Sequence, residues 1–294
     1  MNIAITGAGG GIGSILWQRL RSERHNLFHV STKEGVGRYS YTDLNRLINN
    51  GMLDVIIHLA WSSVPADEAG DIAITGMDDV ELMKGIVQCL KDASREGVSK
   101  PLLVFSSSCA VYGEGDGETV FSEGDETSPI SRYGRRKKVV EKVIEDAVDD
   151  FGLRSLVLRL TNPYGFMRGD DRPQGVISHL VDALVKEKTF TIWGDGSASK
   201  DFVHIDDVTR AICMLVECQG IGTYNLGSGY SVSIDELIAI VENFLERRLA
   251  TKFTESPPWD VTAGKYSIEK VTKTFGWSPQ ISLEDGIAQY CKES

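Results

Sequence analysis

Tyr133 and Lys137 stand four positions apart in Tyr133-Gly134-Arg135-Arg136-Lys137. On a helix that spacing points both side chains the same way. A free tyrosine titrates near ~10. An ammonium beside it, together with a positively charged ring bound alongside, favours the phenolate, and a drop of about three units corresponds to roughly 4 kcal/mol of differential stabilisation. The phenol is then a usable base near neutral pH. Upstream, Phe105-Ser106-Ser107-Ser108 closes an apolar run, and Ser108 can hydrogen-bond a reacting hydroxyl or carbonyl oxygen. The spacing alone is weak, because Tyr266-Ser267-Ile268-Glu269-Lys270 repeats it late in the chain. That copy follows a proline break and has no serine-ended strand before it. Ser108, Tyr133 and Lys137 are therefore the candidate proton-transfer set. Arg135, Arg136 and Lys138 read as a solvated basic face.

A second pattern can supply the partner chemistry. Thr6-Gly7-Ala8-Gly9-Gly10-Gly11-Ile12-Gly13 follows the apolar run Ile3-Ala4-Ile5. Gly7, Gly10 and Gly13, three apart, let the backbone turn sharply and let a pyrophosphate come close. The helix start at Gly11 and Ile12 then offers amide donors and a partial positive charge. A glycine motif is confirmed by its context, here a strand before and a helix after; the bland alternative is a flexible turn. The expected ligand is a dinucleotide, NAD or NADP. An acidic residue after the second strand would take the adenosine ribose. This chain has Ser31-Thr32-Lys33 there, and no carboxylate until Glu34. Hydroxyls and a lysine can accept a 2′-phosphate, which leans towards NADP; Lys33 reads equally well as a solvated loop charge. Asp43-Leu44 is placed along the adenine edge, with Asp43 equally a helix N-cap. Leu59, Ala60 and Trp61 end a central strand where ligands bind in such sheets. Trp61 either lines the cofactor or packs. Ser106 completes the cofactor set.

These residues need a scaffold. Residues 2–6, 27–30, 53–60, 102–106 and 155–159 read as strands, the third apolar nearly throughout, as a parallel sheet covered on both faces requires. Residues 14–22, 80–96 and 131–148 read as helices between them. Alternation of this kind means βαβ units and an α/β, Rossmann-type doubly wound parallel sheet. Beyond about residue 165 the texture changes. A polar loop (169–175), helices at 176–186, 206–217 (capped by Asp206 or Asp207) and 234–247, a turn at Trp193–Ser197 and a strand at 223–226 follow. The expected division is a dinucleotide-binding domain over 1–165 plus about 201–228. A smaller C-terminal substrate-binding domain takes about 166–200 and 229–294.

Composition bounds the class. The 294 residues are 41% hydrophobic and 25% charged, ordinary for a globular protein. A net charge of −11 argues against nucleic-acid binding, so any phosphate site must be local. No apolar stretch approaches 20 residues, so no membrane span is expected. The chain starts in a strand, so no signal peptide is expected. Five cysteines without a CxxC pair point away from a disulfide framework or zinc site and towards a reducing cytoplasm. No metal ligand set is expected. His58 and His204 read as structural histidines.

The combined pattern resembles the extended short-chain dehydrogenase/reductases, in particular nucleotide-sugar epimerases of the UDP-glucose 4-epimerase type. The resemblance runs along nearly the whole chain: Thr6–Gly13, His58-Leu59-Ala60, Ser106–Gly113, Tyr133–Lys137, Arg159–Gly165, Trp193–Gly196, Asp201–Val208 and Tyr224–Gly229. It implies Ser108, Tyr133 and Lys137 as the catalytic triad, and a nucleotide-diphosphate sugar as substrate. It places Ser107 and Ser108 near the substrate, Asn162 against it and Lys200 near its phosphates. It also implies a homodimer. Lys200 departs from the arginine common in the family, keeping the charge but losing a bidentate grip. A second phosphate-binding arginine, often found just before an Asp-Val pair, is missing, since Pro257-Pro258-Trp259 precede Asp260-Val261. Cys109-Ala110 stands where sugar 4,6-dehydratases have Asp-Glu, which disfavours dehydration. The expected function is C4 epimerisation through a 4-keto intermediate. The alternatives are an NAD(P)H-dependent 4-keto sugar reductase and, in another class, a non-catalytic dinucleotide sensor.

Overall fold

The computed structural model describes residues 1–32, 35–62, 79–166 and 175–293. The first part of the chain gives β1 (Asn2–Thr6), α1 (Gly11–Ser22), β2 (Asn26–Val30), β3 (Arg38–Tyr39), α2 (Tyr41–Asn49), β4 (Val55–His58), α3 (Asp79–Arg95) and β5 (Leu102–Ser108). The middle gives β6 (Val120–Phe121), α4 (Arg132–Phe151), β7 (Ser155–Leu160), β8 (Asn162–Tyr164), α5 (Val176–Val185), β9 (Phe190–Trp193), β10 (Ser199–Lys200), β11 (Phe202–His204) and α6 (Ile205–Glu217). The rest gives β12 (Gly222–Leu226), β13 (Val232–Ser233), α7 (Ile234–Leu245), β14 (Thr251–Thr254), β15 (Lys265–Tyr266), α8 (Glu269–Phe275) and α9 (Leu283–Glu293).

A seven-stranded sheet runs β12-β7-β5-β4-β1-β2-β3. The pairs β1–β2, β1–β4, β4–β5 and β2–β3 are parallel. The strand order reverses at β1 and β4, and ligands bind at the carboxyl ends of strands at such a switch point. The expected fold class is borne out. Every residue of β4 and β7 is buried, which is why those runs carry no polar alternation. Ala4, Ile56, Leu103 and Phe105 of the sheet pack with Leu44 and Ile48 of α2, Met83 and Leu90 of α3, and Val140 and Ile144 of α4.

The chain forms two compact units. One comprises 1–108, 132–159 and 212–224; the other comprises 109–131, 160–211 and 225–294. In the second, α5, α7 and α9 bury Leu180, Leu237 and Ile287 around a core of their own, and four two-stranded pairings occur among the described residues.

Several local expectations are corrected. The central strand ends at His58, so Leu59 and Ala60 are already outside the ladder. Helix α1 begins at Gly11, three residues before the expected start at residue 14, because glycine hides the helical pattern. The short β3 and α2 have no counterpart among the expected elements, since their nine-residue amphipathic stretch follows a glycine-rich loop. Helix α6 starts at Ile205, so Asp206 and Asp207 lie within its first turn rather than capping it. Asp207 instead accepts from the backbone of Gln280 and Ile281 and pairs with Arg210. Most of the expected loop at 169–175 lies outside the described residues.

Candidate active site

The glycine turn is a cradle that side chains would fill. Gly7 has φ +73°, and a Cβ there would lie 2.6 Å from the Ala60 amide nitrogen. A Cβ on Gly13 would lie 2.1 Å from the Gly7 carbonyl oxygen. Gly10 is the N-cap of α1 and offers no side-chain cap. The first amides of α1, at Gly11 and Ile12, therefore lack the partner a capping side chain would give. Leu59 and Ala60 close the other side: Leu59 N donates to Thr6 O at 3.2 Å, and Ala60 N donates to Thr6 Oγ1 at 3.2 Å. Thr6 Oγ1 also meets His58 Nδ1 at 2.9 Å. Burial pulls the His58 pKa down to about 3, with Lys137 adding to the effect, so this imidazole is neutral and structural. A backbone-lined turn at an uncapped helix start, on the switch point, fits the pyrophosphate of a dinucleotide.

The ribose end is less complete. Ser31 and Thr32 follow β2, and Ser31 N donates to Tyr39 O at 2.9 Å. Lys33 lies outside the described residues. His29 is opposite Arg38 across β2–β3, a cation that the sequence pattern does not single out. Asp43 serves the start of α2: its carboxylate accepts from Ser40 N and Ser40 Oγ in the capping box and pairs with Arg46. Leu44 is fully buried in the core beneath α2. The cap alternative for Asp43 is the one realised, because Ser40 sits three residues ahead of it.

The proton-transfer set is gathered within one unit. Ser108 is the last residue of β5, and Tyr133 and Lys137 lie on the first turns of α4. Ser108 and Tyr133 are hydrogen-bonded through their side chains. Lys137 is 3% exposed, and its Nζ donates to Ser106 O at 2.7 Å. The Lys137 Nζ also sits 3.6 Å from the Trp61 ring centre and 5.7 Å from that of Tyr133. Trp61 meets Tyr133 edge-on at 6.3 Å, and its indole nitrogen is buried without a hydrogen-bond partner among the described residues. Trp61 thus both packs and lines this site.

The protein groups by themselves set a high starting point for the phenol. Burial pushes the Tyr133 phenol up to about 12; the Ser108 hydrogen bond lowers it and the Asp79 charge raises it. Burial pulls Lys137 down to about 7, against the raising fields of Asp79 and Glu141. The protein groups alone therefore do not ionise the phenol near neutral pH. The physical reason is that desolvation outweighs an ammonium directed at a carbonyl and an indole face.

Two further expectations are corrected. Ser107 is buried, and its hydroxyl donates to Glu141 Oε1 at 2.5 Å, so its proton is committed to the protein and not to a ligand. Glu141 is gripped bidentately by Arg159, with Arg159 Nη2 at 2.7 Å from Oε2. Arg136 does not belong to a solvated face. It pairs with the buried Asp79 at 3.2 Å and lies 5.6 Å from the Trp61 ring. Sequence reasoning misses Asp79, Glu141 and Arg159, because their only signal is a buried charge and burial is not written in spacing.

In the second unit, Asn162 donates through both its backbone N and Nδ2 to Asp201 O, at 3.0 and 2.8 Å. Lys200 pairs with Asp260 at 2.6 Å and donates to the Val261 carbonyl. The Asp-Val pair that lacks a preceding arginine is thus the partner of Lys200. The late Tyr266 is buried against Phe121 and Tyr112, a packing role.

A family model described as the NAD dependent epimerase/dehydratase family matches residues 3–227. The chain belongs to this family. It is similar to a putative UDP-glucose 4-epimerase of Methanocaldococcus jannaschii, 27% identical over 97% of this chain and 95% of the relative. It is also similar to the dTDP-4-dehydro-6-deoxyglucose reductase of Escherichia coli, 27% identical over 92% and 84%. Among solved structures, the UDP-glucuronic acid 4-epimerase of Bacillus cereus in complex with UDP-glucuronic acid and NAD matches with a TM-score of 0.86 and 25% identity, covering 100% of this chain and 99% of that one. Membership in the epimerase/dehydratase family bears out the resemblance read from the motifs, and makes this chain an enzyme of the nicotinamide-dependent kind. Among the described residues, no helix is long and apolar enough to cross a membrane.

Proposed function

We propose that this chain is a nucleotide-sugar 4-epimerase that works through a transient 4-keto sugar. The observation that carries the reading is the gathering of Ser108, Tyr133 and Lys137 at the carboxyl end of β5, in the unit that holds the glycine cradle. NAD or NADP would lie on Gly7–Gly13, with Leu59, Ala60, Trp61 and Ser106 along its length. Bound, the dinucleotide supplies reversible oxidation at the sugar carbon and, in its oxidised form, a positive ring near the phenol. Tyr133 takes the proton of the C4 hydroxyl and returns it after the keto sugar has turned over. Ser108 holds the reacting oxygen, and Lys137 would hold the ribose of the bound dinucleotide and support the charge. The UDP-sugar relatives support a nucleotide-diphosphate sugar as substrate.

A keto-sugar reductase is the second reading. It is favoured by Ser31 and Thr32 at the end of β2 in place of a carboxylate, and by the Escherichia coli relative. A non-catalytic sensor is disfavoured, because Tyr133 and Lys137 are both retained. The free cysteines suit a cytoplasmic setting. Exposed Val139 and Val148 on α4 suit a homodimer through α3 and α4. NMR of the purified protein with UDP- and dTDP-sugars tests the reading: C4 inversion is expected. Stoichiometric oxidation of NAD(P)H by a keto sugar without inversion moves the assignment to the reductase.

A further inference from the structure

Asp79 opens α3 and is only 4% exposed. Its carboxylate accepts from Ser62 N at 3.1 and 3.2 Å and from Ser62 Oγ at 2.7 Å. It also accepts from Arg136 Nη2 at 3.2 Å. One carboxylate thus ties three elements together: the backbone next to Trp61, the start of α3 and the first turn of α4. Arg136 immediately precedes Lys137, and both of their cationic groups approach the Trp61 ring, at 5.6 and 3.6 Å. Among the described residues Arg136 is the one salt-bridge partner of Asp79, and a buried ion pair of this kind is costly to break and cheap to replace by apolar packing. Its placement beside the proton-transfer set therefore asks for a role.

We propose that Asp79 and Arg136 form a positioning pair that anchors Trp61 over Lys137 and balances the charge in which the Tyr133 phenol ionises. This rests on the reading that Tyr133 and Lys137 carry the proton transfer. Among the described residues the charged and titratable groups facing them include Tyr41 of α2, which burial and the Asp79 charge hold protonated. Asp79 on α3 holds the proton on both Tyr133 and Lys137. On α4, Arg136 drives the proton off Lys137 while Glu141 retains it. Glu141 is itself occupied by Arg159 of β7, and His58 of β4 is neutral. Removing the Asp79 charge must ease ionisation of Tyr133, and removing the Arg136 charge must leave a bare carboxylate that opposes it. The two variants therefore carry opposite signs, which a merely structural contact does not produce.

The test is a tyrosinate absorbance titration of the NAD-loaded protein, taken as the difference between each variant and the same variant carrying Tyr133→Phe. It is read over the pH range in which circular dichroism shows the chain folded. Asp79→Asn should move the midpoint down and Arg136→Gln should move it up, each by on the order of one pH unit. A midpoint beyond the folded range counts as raised only where the parent midpoint lies within it; otherwise the fall of the Asp79→Asn midpoint into that range decides, and its absence overturns the proposal. The double variant should return close to the starting value, and Arg136→Lys should stay there. Shifts of the same sign, or none, overturn the proposal. If Arg136→Gln does not fold, the downward shift of Asp79→Asn with an unmoved Arg136→Lys decides. No sugar is needed, so a chain that fails every epimerase assay still answers this question.

Discussion

The Lys137 ammonium nitrogen lies 3.6 Å from the centre of the Trp61 ring, inside a site that leaves the lysine 3% exposed. Burial pulls this lysine down to about 7, while an unfolded lysine titrates near ~10.4. Between those values the unfolded chain binds a proton that the native chain has released. Native stability therefore rises with pH across that window. Lys137→Met should remove the climb, stabilising the chain most on the acid side of about pH 7. Urea unfolding on both sides of the window measures it; an unchanged pH slope contradicts the assignment.

Tyr133→Phe removes the phenol but keeps the ring against Trp61. Turnover should fall by at least about 10²–10⁴-fold, with dinucleotide binding and melting temperature nearly unchanged. Ser108→Ala should cost less, because it removes the hydroxyl that holds the reacting oxygen and lowers the phenol but leaves the base itself in place. Turnover surviving in Tyr133→Phe would assign the proton to another group.

Two glycines predict opposite signs. Gly13→Ala places a Cβ 2.1 Å from a backbone oxygen, so it should cost about 1–3 kcal/mol or more and abolish dinucleotide binding. Gly85 is exposed within α3, and a Cβ added there would meet nothing within 4 Å. Gly85→Ala should stabilise by roughly 0.5–1 kcal/mol without touching binding. Thermal melts and dinucleotide titrations separate the two.

Glu141 joins β5, α4 and β7 through Ser107 and Arg159. Arg159→Met leaves a buried carboxylate uncompensated and should cost about 3–5 kcal/mol by denaturant unfolding. A combined Glu141→Gln and Arg159→Met change should recover much of that loss. Additive losses would mean the pair is not coupled.

The sheet is legible because β1, β4 and β5 are apolar runs separated by helical periodicity, and the glycine turn because its spacing is bound to a strand–helix junction. Tyr133 and Lys137 are legible for the same reason, as a spacing on a helix. What the pattern does not encode is which charges fold inwards. Arg136 reads as a surface cation until Asp79, 57 positions away, is found beneath it. Lys200 reads as a phosphate ligand until Asp260 is found beside it. Asp43 is ambiguous because one carboxylate suits both a cap and a ligand, and only Ser40 in the folded chain decides. The phenol reads as easily ionised because a sequence shows the ammonium and omits the desolvation.

The central claim is that the hydrogen at sugar C4 departs and returns to the same carbon while Tyr133 handles the hydroxyl proton. A nucleotide-diphosphate sugar deuterated at C4, incubated with the NAD-loaded protein in ordinary water and followed by NMR, tests it directly. The account predicts the C4 epimer with deuterium retained at C4 and no net cofactor consumption, lost in Tyr133→Phe. Epimer carrying solvent hydrogen at C4, or deuterium passed stoichiometrically to free dinucleotide, contradicts it.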